Sequence, residues 1–181
     1  MRDIEPGDGV IFFVRDPITR FVSGFYSRKR QGWPGHTVRG SGAEREAFEQ
    51  FATPDALASA LDDEADDRRL ASHHAMKSIE HVRSSYWDWF VDEQFMESRW
   101  DDVMFVGQVE ALGEDFETLK RIMDWPDDLA LPRDPDKAHQ SPAGEDRELS
   151  NAAVRNLADW YAPDYRFLEL CSDRRVALFD E

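Results

Sequence analysis

Five apolar residues in a row, Val10-Ile11-Phe12-Phe13-Val14, run straight into Arg15-Asp16-Pro17, and this junction restricts the fold more than any other feature of the chain. A continuous apolar run of strand length, with no polar alternation, suits a strand covered on both faces, as in a parallel sheet. Asp16-Pro17 then ends the strand and starts a helix, because proline pre-sets φ for a first helical turn and lacks only an amide that such a turn leaves unpaired. Phe21, Phe25 and Val22 form the apolar face of that helix. Strand leads directly into helix, the unit from which α/β proteins are built.

The same grammar returns later. Val103 to Val106 reads as a second strand, Gly107 as a tight turn, and Val109 to Met123 as an amphipathic helix. Between the two units, Glu44 to Phe51 and Pro54 to Leu61 read as short helices, the second entered through Thr53 as N-cap and Pro54 in its first turn. The acidic stretch Asp62 to Asp67 reads as a solvated junction. Met76, Ile79, Val82, Tyr86 and Phe90, at spacings of three and four, indicate a long helix or a broken pair from Arg68 to about Trp100. Asp124 to Glu148 has no sustained period and reads as a long loop; Ser150 caps a closing helix, and Pro163 separates a final short one. The expectation is one domain over residues 1–181, α/β, with a small parallel sheet and a predominantly helical remainder. Two strands are few for such a sheet.

Charge narrows the function. The chain has 38 Asp and Glu against 22 Lys and Arg, a formal net charge of −16, which argues against nucleic acid or an anionic membrane as partner. Yet Arg15 to Arg45 holds seven cations, Arg15, Arg20, Arg28, Lys29, Arg30, Arg39 and Arg45, against Asp16 and Glu44. The single cysteine, Cys171, excludes an intramolecular disulfide framework and reads as a small core residue. No apolar run approaches the roughly 20 residues of a membrane span, and "MRDIEPGDG" has no signal-peptide core. A soluble, cytoplasmic protein is expected.

In an open α/β sheet, ligands bind at the carboxyl ends of strands, where Arg15 stands. The following helix N-terminus offers unpaired amides, and arginine offers a two-pronged donor for phosphate. Ser23 adds a hydroxyl. On the residues alone, two readings remain: a phosphate grip, or an Arg15 paired with a carboxylate at the sheet edge and a Ser23 bonded back to a helical carbonyl. A GxxxxGK[ST] loop is absent, so an ordinary ATP or GTP hydrolase is not indicated.

The stretch "FFVRDPITRFVSGFYSR" resembles the 3′-phosphate-binding segment of sulfotransferases, with Arg15, Asp16, Pro17, Arg20 and Ser23 in that family's order and spacing. "MFVGQVEALGEDFETLKRIM" and "LSNAAVRNLADWYAPDYRFLELC" resemble later segments of its bacterial and carbohydrate-type branch, although both also suit core packing. The resemblance implies a P-loop NTPase-like sulfotransferase fold. It implies 3′-phosphoadenosine-5′-phosphosulfate (PAPS) as donor and 3′,5′-phosphoadenosine (PAP) as product, with Arg15 and Ser23 holding the 3′-phosphate and Arg20 beside them. It further implies a bacterial source, no metal, and a hydroxyl of a carbohydrate or small metabolite as acceptor. The family's Pro-Lys-x-Gly-Thr-Thr-like loop has no counterpart before Gly9, so the chain is expected to be an N-terminally truncated version of that fold. An alternative is a non-catalytic nucleotide-binding or interaction domain derived from a sulfotransferase.

Sulfuryl transfer to a hydroxyl needs a base. His73, His74, His81 and His139 are the candidates, each balanced against an ordinary structural histidine. Lys137, His139 and Ser141 occupy a polar loop that is either simply solvated or, by analogy with sulfotransferases, returned over the nucleotide. Tyr26, Arg28, Lys29 and Arg30 either face an anionic acceptor or solubilise a helix end, and Trp33, Trp87 and Trp89 either stack on a sugar or pack in the core.

Overall fold

The structure, a computed structural model, describes residues 4–5, 7–33, 39–134 and 144–179. In chain order its elements are β1 (Val10–Val14), α1 (Pro17–Lys29), α2 (Gly42–Gln50), α3 (Pro54–Ser59), α4 (Asp66–Ser78), α5 (Glu80–Arg83), α6 (Trp87–Phe90) and α7 (Glu93–Ser98). After these come β2 (Val103–Gln108), α8 (Leu112–Ile122), α9 (Asn151–Trp160) and α10 (Ala162–Phe179). Among the described residues the chain is therefore mostly helical with a two-stranded parallel sheet, an α/β arrangement. It divides into two compact units: residues 1–16, 85–131 and 163–181 form the first, and residues 17–84 and 132–162 the second.

The first unit carries both strands. β1 and β2 pair in parallel with Phe13 opposite Gly107 and Val14 opposite Gln108, after an irregularity between Val10 and Ile11. Gly107 is thus a strand residue and not the expected turn. A Cβ there would stand 2.2 Å from Cε1 of Phe13, so only glycine lets the Phe13 ring lie over the strand. Val14, Phe90, Met96, Val103, Val106, Phe167 and Cys171 form this unit's core, each removed from water almost completely. Phe167 is its centre, with ring centroids of Phe90 at 4.7 Å and of Tyr86 and Trp87 at 5.1 Å. Burying a side chain of this size contributes about 1.5–3 kcal/mol.

The second unit is helical. Phe21 and Phe25 of α1, Leu57 of α3, Met76 of α4, Val82 of α5 and Leu157 of α9 are all buried. Thr53 Oγ1 accepts from the Ala56 amide and Ser150 Oγ from the Ala153 amide, so both helix starts fall where the sequence places them. α2 begins earlier than expected, because Ser41 and Glu44 form a reciprocal capping box.

The long helix or broken pair expected from Arg68 to Trp100 is four short helices. Ile79, fully buried, takes an extended conformation and separates α4 from α5; Ser84, also extended, ends α5. Val91, at φ 71°, turns the chain between α6 and α7. The final helix is longer than expected, since Pro163 occupies the first turn of α10, where a missing amide costs nothing. No helix among the described residues is long and apolar enough to cross a membrane.

Candidate functional site: the turn after the first strand

Arg15 and Asp16 follow the last ladder residue of β1, where backbone groups lose their strand partner. Two distant segments of the first unit supply replacements, and a third holds the Asp16 side chain. The Tyr86 hydroxyl accepts from the Arg15 amide at 2.8 Å and donates to the Arg15 carbonyl at 2.6 Å. Glu110, just beyond β2, accepts the Asp16 amide on Oε1 at 3.0 Å. Tyr165, in the first turn of α10, donates its hydroxyl to Asp16 Oδ2 at 2.9 Å. Tyr86 is held in turn, its amide donating to Oδ1 of the buried Asp164 at 2.8 Å and its ring lying against Phe167 at an interplanar angle of 23°.

These contacts explain the two later motifs. Glu110 belongs to "FVGQVEAL", and Asp164 and Tyr165 belong to "YAPDY", stretches that also read as core packing. Both motifs instead deliver polar groups to the Arg15-Asp16 turn. Tyr86 was hidden in the sequence because it continues the apolar spacing of Ile79 and Val82, yet its hydroxyl performs the polar task.

In the second unit α1 carries the remaining residues of the motif. Arg20 places its guanidinium carbon 5.5 Å from the Tyr161 ring centroid, a cation–π contact. Ser23 is half-buried, and among the described residues its hydroxyl makes no hydrogen bond, so it does not bond back to its own helix. Gly24 lets α5 approach closely: a Cβ at that position would lie 3.0 Å from Cβ of His81. His81 therefore packs against α1 one residue beyond Ser23, and it is exposed.

The other histidines are placed differently. His73 brings Nε2 within 3.2 Å of the Leu61 carbonyl and sets its ring edge-on to Trp160 at 5.1 Å, a structural environment. His74 is exposed on α4. Lys137, His139 and Ser141 lie outside the described residues. Among the described residues no group of three or more His, Cys, Asp or Glu side chains is gathered as a metal would need.

Part of the basic cluster proves structural. Arg28 makes a two-pronged bond to Glu44, with Nε and Nη2 at 2.7 and 2.8 Å, and approaches Glu80 at 3.2 Å. Burial works to raise the Glu44 carboxyl. The Arg28 hydrogen bonds, the amides of Ser41 and Glu80 and the Arg28 charge outweigh it and hold the group at about 2. Lys29 donates to the Ala52 carbonyl, Arg30 pairs with Glu145, and Tyr26 donates to the Asp146 carbonyl. Tyr26, Arg28 and Arg30 are thus held within the fold, whereas Lys29 stays exposed at the helix end. An open cleft of about 370 Å³ has Arg28 and Glu44 in its lining, with Arg39 and Arg83 beside them. Trp87 belongs to the core and donates Nε1 to the Pro163 carbonyl, whereas Trp33 and Trp89 are exposed.

The family model described as the sulfotransferase family matches residues 10–170. No curated protein and no solved structure matches the chain.

Proposed function

The chain belongs to the sulfotransferase family, and from that premise we propose that it transfers a sulfuryl group from PAPS to a hydroxyl of a carbohydrate or small metabolite, on a P-loop NTPase-like fold. Arg15 and Ser23 bind the 3′-phosphate of the donor, and Arg20 reinforces the positive field beside them. The observation that carries this reading is the Arg15-Asp16 turn, whose position at the carboxyl end of a parallel strand is where such folds bind phosphate. The half-buried, uncommitted hydroxyl of Ser23 agrees with it.

In the reaction the acceptor oxygen forms a bond to sulfur while the bond from sulfur to the 5′-phosphate oxygen breaks. The bonding pair leaves with that oxygen, and the acceptor proton passes to a base. Positive groups at the 5′-phosphate favour its departure by balancing the charge that develops on it. Among the histidines, His81 is the candidate base with the best support, because it is exposed on a helix packed against α1.

Calorimetric titration with PAP tests the reading. Wild type binds, and Arg15→Ala and Ser23→Ala each weaken binding about 10- to 100-fold, the effect of removing a hydrogen bond to a charged group. PAP binding without turnover of PAPS on any hydroxyl acceptor would favour the non-catalytic alternative. Binding unchanged in both variants would overturn the assignment of the site.

A further inference from the structure

We infer that Tyr86 is a positioning residue for the donor phosphate, acting through the Arg15 backbone and not by touching the nucleotide. The inference rests on the reading that Arg15 grips that phosphate.

A hydroxyl has one donor hydrogen and two acceptor lone pairs, so one tyrosine can serve both an amide and a carbonyl. The Tyr86 hydroxyl does this for a single residue, at 2.8 Å to the Arg15 amide and 2.6 Å to its carbonyl. It thereby replaces the strand partner that the ladder ceases to supply after Val14. Holding both peptide groups of Arg15 limits rotation about its φ and ψ, and those angles set the direction in which Cα–Cβ leaves the chain.

Tyr86 can exert this control because it is itself fixed. Asp164, 3% exposed, takes its amide, and Phe167, fully buried, supports its ring. The Asp16 amide on Glu110 extends the same restraint by one residue. A flexible arginine would lose side-chain and backbone freedom on seizing a phosphate, whereas one on a fixed backbone has less to lose.

The experiment compares wild type with Tyr86→Phe, Arg15→Ala, the double variant and Ser72→Ala. Ser72→Ala serves as a stability control, since Ser72 is buried and donates to the Ala60 carbonyl at 2.9 Å. Tyr86→Phe keeps the ring and removes only the clamp. It should speed hydrogen exchange at the Arg15 amide without nucleotide present and weaken PAP binding by about tenfold. Ser72→Ala should lower the melting temperature without changing PAP affinity. In the double variant, PAP should bind no more weakly than to Arg15→Ala alone, because a residue acting through Arg15 has nothing left to position.

The failures are distinguishable. If Arg15→Ala weakens binding and Tyr86→Phe does not, the positioning role is wrong and the phosphate site stands. Independent, additive losses in the double variant would likewise overturn it, placing Tyr86 in a separate role. If Arg15→Ala leaves PAP binding intact, the phosphate reading fails and the positioning role with it.

Discussion

Arg28 of α1 grips both carboxylate oxygens of Glu44 of α2, and each side chain is only 3% exposed. A buried ion pair is costly to break on one side, because the remaining charge is left without its counter-ion. Arg28→Ala should therefore destabilise the chain by about 3–5 kcal/mol, whereas replacing both partners by apolar residues of similar size should cost far less. Urea unfolding of the two variants measures the difference. A loss below about 1 kcal/mol for Arg28→Ala would show that the pair is solvated.

Acid should expose the same pair. The Glu44 carboxyl is lowered from its ordinary 4.5 to about 2, so its contribution is fully present above pH 4.5 and disappears as pH falls toward 2. That contribution is on the order of 3 kcal/mol. Wild type should lose stability steeply between these pH values, and Glu44→Gln should show a flatter profile over the same window. Parallel profiles would mean that other carboxylates govern acid unfolding.

Gly107→Ala is expected to disrupt the first unit. The added carbon would overlap the Phe13 ring, with three ring atoms between 2.2 and 2.8 Å from it, and Phe13 is held on the neighbouring strand. A cost of about 1–3 kcal/mol is expected for such overpacking. A Phe13→Leu/Gly107→Ala double variant should recover part of that loss in thermal melts, whereas a turn residue would show no such rescue.

Much of the fold was legible where one local signal had one meaning. Val10 to Val14 read as a strand and form one, although only Val14 is buried and the other four residues are half-buried, so the strand is not covered as expected; Asp-Pro ends it, and Thr53 and Ser150 had the side chains that helix starts require. Gly107 misled because glycine marks both turns and close packing, and the sequence does not show Phe13 opposite it. The breaks at Ile79, Ser84 and Val91 were invisible because apolar spacing continued through them. Of the proposed site, Arg15, Arg20 and Ser23 stand in one contiguous motif. Tyr86, Glu110 and Tyr165 were missed because their partners lie 71, 94 and 149 residues away. Arg28 to Arg30 read as either ligand-facing or solubilising because Glu44, Glu80 and Glu145 join Arg28 and Arg30 only in three dimensions.

Cys171 should resist thiol reagents while the chain is folded. The residue is 2% exposed, and burial pushes its thiol up to about 12. At pH 8 roughly one thiol in ten thousand would be ionised, and the thiolate is the reacting form. Labelling should be slow in buffer and should accelerate through the urea unfolding transition. Rapid stoichiometric labelling in buffer would mean that this part of α10 opens without global unfolding.

Ser23 offers the clearest separation of function from stability. Serine in a helix interior is less favourable than alanine by about 0.5 kcal/mol, and the Ser23 hydroxyl gives no compensating hydrogen bond among the described residues. Ser23→Ala should therefore melt at the same temperature as wild type or slightly higher. PAP binding should nevertheless weaken at least tenfold if the hydroxyl holds the 3′-phosphate. A stabilised variant that loses its ligand identifies a residue retained for binding at a cost to the fold; a stabilised variant that binds normally removes Ser23 from the site and leaves Arg15 to hold the phosphate without it.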